Sequence, residues 1–483
     1  MNTKIRTLEP TNLWNNFADL NAVPRASKKE EEVRAFMVAF GKKLNLETTV
    51  DKIGNVIIKK PATKGMENRK TIVMQSHLDM VHQKNNDTDF NFDTQGIEMY
   101  VEDGWVKARG TTLGADNGLG VATIMSILEA TDIPHPAIEA LFTIDEETGM
   151  TGAMGLEAGY LNGEILLNLD TEDDDEIGVG CAGGIDITAT KSYTSEKIPA
   201  NTSAYRITIK GLQGGHSGMD IHKDFGNANK MMNRILYALK EISSIAKIDG
   251  GSLRNAIPRE SHSIVVTNDI KSFEDEFYVI AKAIINEYST IEDELEIELE
   301  GCILPESVLS KDDSNTLLKA IYATHNGVFR MSPDIDGLVE TSNNVARVLV
   351  KDGDIKILCL TRSSVESGKM NLAYNISSGF ELAGYTVELS GSYPGWKPNP
   401  NSPILKVLET TYVTLFNEKP NVLACHAGLE CGILGTNYPD MDMISFGPTI
   451  KGAHSPDERA NIESTQKFWE YILQILKDIP VKA

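Results

Sequence analysis

The segment TIVMQSHLDMVHQ, residues 71–83, runs from the apolar Ile72–Met74 into His77, Asp79 and His82 within a few positions. Similar endings recur along the chain. ALFTI leads into Asp145, Glu146 and Glu147, EILLNL into Asp170, and MISF through a short loop to His454 in KGAHSPDE. Asp116 stands in TTLGADNGLG, a glycine-bounded loop that opens a helix near Leu119. Positions i and i+2 of a strand share a face, so His77 and Asp79 can lie side by side. Imidazole nitrogens, carboxylate oxygens and one carboxylate able to bridge are what two divalent zinc ions need. Each candidate alone has a plainer reading, a loop hydrogen-bonder or a solvated acid. The recurrence after separate apolar runs points to chemistry. A single-metal HExxH helix is absent.

These residues need elements to hold them. Through residue 187, VIIKK, TIVMQSH, ALFTID and EILLNLD read as strands, and NLWNNFADLNAV, EEEVRAFMVAFGKKL and GLGVATIMSILEA as helices. That alternation predicts an α/β domain with a mostly parallel sheet and helices on both faces. Catalytic groups of such sheets gather beyond the carboxyl ends of the strands. From residue 188, SAYRITIKGL, SHSIVVTND and DIKILCLTRSS alternate like half-exposed antiparallel strands, with NKMMNRILYALKEI and FYVIAKAIINEY as helices. The turn-rich GSYPGWKPNPNSP, residues 391–403, reads as a linker, after which the first pattern resumes. The expected organisation is a discontinuous catalytic domain, 1–187 and 396–483, interrupted by an α+β insertion over 188–395 with room for two subdomains.

Composition narrows the function classes. A chain of 483 residues at 41% hydrophobic content can bury two or three cores. No run approaches the roughly 18 apolar residues of a membrane span, and the N-terminal stretch lacks a signal-peptide pattern, so a cytoplasmic protein is expected. Five scattered cysteines without a CxxC pair argue against disulfides and a thiolate zinc site. A formal charge of -23 disfavours nucleic acid and anionic membranes as partners.

Taken together, SHLDMV, GADNG, DEETG, NLD and GAHS resemble the M20 family of co-catalytic zinc peptidases. GGHSGMDIH, RNAIPRE, GLVETSNN, YPGWKPNP and HAGLECG in the remainder resemble its aminoacyl-histidine dipeptidase branch, also called cytosol non-specific dipeptidase. The resemblance runs along essentially the whole chain. It implies a zinc-peptidase catalytic domain with an inserted lid or dimerisation domain, two Zn2+ per chain with Co2+ or Mn2+ as substitutes, and a homodimer through the lid. It makes Asp116 the bridging ligand, followed by a cis peptide, with His77 and Asp170 completing one metal site and Glu147 and His454 the other. Asp79 would fix the tautomer of His77, and Glu146 would be the general base. His82 receives no role beyond structure. In the insertion, His216 would stabilise the oxyanion, from its own or a partner chain. Asn255, Arg362 and His426 are candidates for the substrate's C-terminal carboxylate, and Arg362 is equally well read as a solvated strand residue. The acidic run 171–176 would attract a free α-amine or simply be solvated. The activity expected is hydrolysis of dipeptides with a free amino terminus, including Xaa-His dipeptides. The alternatives are an N-acyl-amino-acid deacylase of the same family and a metal-bearing peptide-binding protein without catalysis.

Overall fold

The computed structural model describes residues 4–198 and 200–482, so residues 1–3 and 483, the outer limits of the expected catalytic segments, lie outside them. The chain divides into two compact units: Met1–Gly180 with Pro398–Ala424 and Leu429–Ala483, and Cys181–Lys397 with Cys425–Gly428. The insertion thus begins before residue 188 and includes a late piece. The strand Gly183–Ser192 pairs with Asp354–Ser363 and Thr386–Tyr393, which commits residues 183–187 to the second unit's sheet. The Ala182 N–H donates to the carbonyls of Cys425 and Ala427 at 3.1 and 2.9 Å, which fastens the late piece there as well.

In the first unit an eight-stranded sheet runs in the order Glu47–Val50, Val56–Lys60, Ile138–Thr143, Ile72–His77, Ile165–Asn168, Asp442–Ser445, Glu176–Cys181, Asn421–Cys425. The four central strands, Ile138–Thr143 through Asp442–Ser445, are mutually parallel. Antiparallel strands flank them, so the sheet is mixed. Ile72–His77, Ile138–Thr143 and Ile165–Asn168 are buried at every position, as strands covered on both faces must be. The register pairs His77 with Thr143, Gln75 with Asn168, and Asn168 with Ser445, aligning the carboxyl ends from which the expected metal residues follow. The helix Ala115–Glu129 packs beside the Ile72–His77 strand, and Thr11–Leu20 packs on that helix through Leu13, Trp14 and Phe17, the apolar stripe of an amphipathic helix.

The second unit carries one nine-stranded antiparallel sheet, in the order Glu296–Cys302, Ser203–Lys210, Ser261–Thr267, Ser244–Gly251, Val339–Lys351, Asp354–Ser363, Gly183–Ser192, Thr386–Tyr393, with Gly327–Met331 also paired to Val339–Lys351. The main core joins residues of this sheet to the helices Ala228–Leu239, Ile270–Tyr288, Lys311–Ala323 and Glu366–Leu382. The expected α+β character is present, and instead of the two subdomains that its size allowed one nine-stranded sheet runs through the unit, with smaller apolar clusters at Ala204, Val266 and Val308 and at Ile221, Ile257 and Val339 beside the main core. Alternating burial along Ser203–Lys210 reflects the half-exposed pattern read in SAYRITIK.

Candidate active site

His77 ends its strand 1% exposed, with Nδ1 3.1 Å from the Asp79 carbonyl oxygen and 3.4 Å from Asp79 Oδ1. Its Nε2 lies 3.2 Å from Asp116 Oδ1 and 3.5 Å from Asp170 Oδ1. The other oxygen of Asp116, Oδ2, lies 3.2 Å from His454 Nε2, which is also 3.0 Å from Glu147 Oε2. The two oxygens of Asp116 therefore face two different imidazoles. One donor atom from each of His77, Asp116 and Asp170 falls within 4.8 Å of the others, and the same holds for Asp116, Glu147 and His454.

The backbone sets this geometry. Gly114 takes a left-handed φ of 68°, the peptide Asp116–Asn117 is cis, and regular helix begins only after Asn117. Asp145 (φ 52°) and His454 (φ 64°) also occupy the left-handed region, a conformation that costs a non-glycine residue on the order of 1–3 kcal/mol and concentrates at functional sites. Asp79 Oδ1 and Oδ2 accept the N–H groups of Glu146 and Glu147 at 3.0 and 3.3 Å. It thereby holds both glutamates as well as His77. Asn117 Nδ2 donates to Asp170 Oδ1 and to the Leu169 carbonyl.

Electrostatics favour added positive charge. Burial raises the Glu146 carboxyl well above its ordinary range, helped by Asp170, Glu430 and Glu147 against the pull of His77. Burial likewise lifts Asp170 to about 6 despite His77. Burial opposes protonation of His77, yet Asp170, Asp116 and Asp79 outweigh it and raise the imidazole well above 6.5. Hydrogen bonds to Asp116 and Glu147 raise His454 to about 11. Cations binding here would displace those protons. Glu147 Oε1 is buried without a hydrogen-bond partner, an orphan acceptor suited to coordination. The donor set of imidazoles and carboxylates therefore fits divalent metal ions. His77, Glu146 and Glu147 form a third close group, so Glu146 reaches the same space. A fourth, Glu30, Asp79 and Asp145, has internal donors: Glu30 accepts the N–H groups of Lys28 and Asp145, and Asp145 accepts the hydroxyls of Thr148 and Thr151.

His82 stands outside the cluster, exposed and edge-on to Phe92 with ring centroids 5.9 Å apart. The acidic run is largely paired: Asp173 with Lys451 at 2.5 Å, Asp174 with Lys467 at 2.9 Å, and Asp175 with Asn421 at 2.9 Å.

The second unit has a polar cluster of its own. Arg362, 4% exposed, donates from Nη1 to Tyr393 Oη at 2.8 Å and lies 3.4 Å from Ser217 Oγ through Nε. His216 follows Gly214 (φ 69°) and Gly215 (φ 147°), which make its sharp turn. Its Nδ1 accepts the N–H groups of Gly218 and Met219 at 3.3 and 3.0 Å, which puts the neutral ring's hydrogen on Nε2, 3.4 Å from Arg362 Nη2. Two donors thus face each other, as around an anion. Burial and the Arg362 charge lower His216 to about 4, and burial, Arg362 and His216 lower His426 to about 3. His426 Nε2 is 2.8 Å from Ser342 Oγ, and its Nδ1 is buried without a partner. Arg362 is buried, so the solvated-strand reading does not hold. The Asn255 side chain is exposed, and its backbone carbonyl accepts the Ser217 N–H at 2.7 Å.

The profile of peptidase family M20/M25/M40 matches residues 73–478. The chain belongs to that family. It is similar to the cytosol non-specific dipeptidase of Escherichia coli (strain K12), with 44% identity over 487 aligned positions covering 99% of this chain and 100% of the other. The crystal structure of aminoacylhistidine dipeptidase from Vibrio alginolyticus matches with a TM-score of 0.94 at 44% identity, covering 99% of each chain. Aminopeptidase PepT from Bacillus cereus, at 17% identity and a TM-score of 0.58 over 98% of this chain and 99% of the other, shares the fold. The chain is a hydrolase acting on peptide bonds.

Two further buried residues, Glu458 and Arg25, hold the loops of this cluster. Glu458 accepts the N–H groups of Leu113, Gly114, Ala115 and Asp116 at 2.7, 2.9, 2.7 and 3.2 Å, clamping the loop that carries Asp116. Its signal was its place in KGAHSPDE, four residues after His454. Arg25, 2% exposed, donates to the carbonyls of Leu78, Asp79 and Gly114 and to Asn21 Oδ1, tying the His77 loop to the Asp116 loop. Nothing in NAVPRASK marks that role, because all four contacts are to the backbone or to one neutral amide.

Proposed function

We propose that the protein is a two-metal exopeptidase that hydrolyses dipeptides with a free amino terminus, including Xaa-His dipeptides. The observation that carries the metal reading is Asp116, with its two oxygens facing His77 and His454 and with Asp170 and Glu147 beside them. His77, Asp116 and Asp170 would hold one ion, and Asp116, Glu147 and His454 the other, with Zn2+ in both and Co2+ or Mn2+ as substitutes. When bound, the ions would polarise the scissile carbonyl and acidify the attacking water. Asp79 orients His77 and the backbone of both glutamates. Glu146, kept basic by burial and its acidic neighbours, takes the proton from the attacking water and passes it to the leaving amine. In the second unit, Arg362 and His426 are assigned to the C-terminal carboxylate on their chemistry, and His216 to the oxyanion. Asn255, whose side chain is exposed, is assigned to the carboxylate too. The inserted unit is read as a lid that also serves a homodimer.

The dipeptide substrate and cytosolic location are supported by the 44% identity, end to end, to the proteins named above. The charge of -23 supports a small substrate without nucleic acid or anionic membrane as partner, and no helix among the described residues is long and apolar enough to cross a membrane. The test is a panel of free, N-acetylated and longer peptides offered to enzyme loaded with two equivalents of zinc. Free dipeptides should turn over, and N-acetylated ones should lose at least about tenfold in kcat/KM. Equal rates on both would favour a deacylase, and no turnover a binding protein.

A further inference from the structure

Inside the first unit's sheet, near the carboxyl ends of its parallel strands, lies a row of buried polar side chains that the roles above do not use. Glu430, at the start of the helix Glu430–Asn437, is 0% exposed. Its Oε2 accepts from Gln75 Nε2 at 2.6 Å and from the Thr143 hydroxyl at 2.7 Å. Gln75 Oε1 accepts from Asn168 Nδ2 at 2.5 Å, and Asn168 Oδ1 accepts from the Ser445 hydroxyl at 2.5 Å. Ser445 Oγ is 2.8 Å from Thr171 Oγ1. With the Ser445 hydrogen committed to Asn168, Thr171 is the donor of that last pair.

Every hydrogen bond in the row therefore points one way, from Thr171 to Glu430. Only an acceptor can end such a chain, and Glu430 Oε2 is that acceptor. Were it absent, the Gln75 amide would keep only its longer contact to Thr143 Oγ1 at 3.2 Å, and Thr143 would itself have lost its short acceptor, so the direction of Asn168 and Ser445 would be held less firmly in turn. The far end matters because Thr171 directly follows Asp170. On the other side of Asp170, the Leu169 N–H donates to the Gln75 carbonyl at 3.0 Å and its carbonyl accepts from Asn117 Nδ2 at 2.7 Å. Both chain neighbours of Asp170 are thus fastened to residues of this row or to Asn117.

We propose that Glu430 is a positioning residue whose acceptor oxygen orients the relay Gln75–Asn168–Ser445–Thr171 and thereby fixes Asp170 as a ligand of one metal ion and not the other. The proposal rests on the two-metal reading. It separates the acceptor role from charge, because Glu430 Oε1 has no partner and a glutamine can keep its carbonyl at the Oε2 position without displacing any donor.

The test is calorimetric titration of the metal-stripped full chain with Co2+, followed in parallel by the visible absorption of the bound ion. His77→Ala and His454→Ala identify which binding step belongs to which site. Glu430→Met should weaken the His77 step by about tenfold or more and alter its absorption band, while the His454 step stays within about threefold. Glu430→Gln should keep both steps within about threefold of wild type. Ser445→Ala, at the opposite end, should weaken the same step, and the Glu430→Met/Ser445→Ala double variant should be little weaker than Glu430→Met alone. Equal weakening of both steps, no weakening, or loss of the step in Glu430→Gln overturns the relay. Should Glu430→Met not fold, an unchanged His77 step in folded Ser445→Ala overturns it equally. A wild-type chain that binds only one ion overturns the two-metal reading itself.

Discussion

The polar clusters of the two units are built from opposite chemistry. In the first unit, Asp79, Asp116, Glu146, Glu147 and Asp170 crowd around two imidazoles, with Glu430 and Glu458 buried nearby. In the second, a buried guanidinium stands beside two imidazoles. Burial acts on both and disfavours charge in each. In the first it lifts Glu146 and Asp170, and the carboxylates in turn hold His77 and His454 protonated. In the second it drives His216 and His426 neutral and leaves Arg362 as the charge to be matched. The same residue type, histidine, is thus pushed in opposite directions by its company. The first cluster has the chemistry to take cations, and the second an anion.

The largest effect expected from this contrast is at Glu146. If it moves protons while its neighbours hold metal, Glu146→Gln should lower kcat by about 10²–10⁴-fold with metal content still near two equivalents. His77→Ala and His454→Ala should instead lose metal. Because His77, Glu146 and Glu147 lie within ligand distance of one another, the measurement is sharp. Loss of one metal equivalent in Glu146→Gln would assign that glutamate to coordination and leave the proton to another group.

The two clusters also differed in how much the sequence disclosed. Most of the metal candidates are visible because they follow buried apolar runs, and parallel strands deliver their carboxyl ends to one edge, while Asp116 stands instead in a glycine-bounded loop that opens a helix. His77, Asp79, Glu146, Glu147, Asp170 and His454 are legible as candidates from that pattern, their separate roles and the exclusion of Asp145 come from the family resemblance, and the strand register aligns the ends they follow. Glu458, Arg25 and Glu430 were not picked out, since each works through backbone groups or neutral amides, and such partners leave no pattern of residue types. The sequence offers Arg362 both as a carboxylate partner and as a solvated strand residue, and its burial removes the second reading. Period-two alternation in DIKILCLTRSS suggests an exposed Arg, but burial of the last five positions of that strand closes over it. The insertion's early start was hidden for a related reason: the hydrogen bonds that commit Gly183–Ile187 to the second sheet come from strands more than a hundred residues later.

Acidification should separate the units in stability. The His426 imidazole is lowered to about 3, against about 6.5 in an unfolded chain, so between those values the unfolded state binds the extra proton. Stability from this group is fully present above pH about 6.5 and is lost as the pH falls towards 3, since ΔG of unfolding rises with pH wherever the unfolded chain holds more protons. His426 is 5% exposed, so between pH 6.5 and 5 the loss should be on the order of 2 kcal/mol. Hydrogen exchange of the second unit, followed between pH 7 and 5 with correction for intrinsic rates, should show this loss, and His426→Asn should reduce the slope to the part contributed by the other lowered groups, His216 foremost. An equal pH slope in wild type and variant would mean that His426 is protonated without cost.

The smallest effect tests what the second cluster is for. If Arg362 faces the substrate's carboxylate, a C-amidated dipeptide should leave that guanidinium unpaired and lose at least about tenfold in kcat/KM, roughly 1.4 kcal/mol. Arg362→Met removes the group that is left unpaired. It should weaken free dipeptides most, chiefly in KM, and hydrolyse free and amidated forms with nearly equal efficiency. Lysine should not restore the difference in full, because a point charge cannot reproduce the planar fork that also holds Tyr393. A penalty for amidation that survives intact in Arg362→Met would move carboxylate recognition to another residue and leave Arg362 a structural partner of Tyr393 and His216.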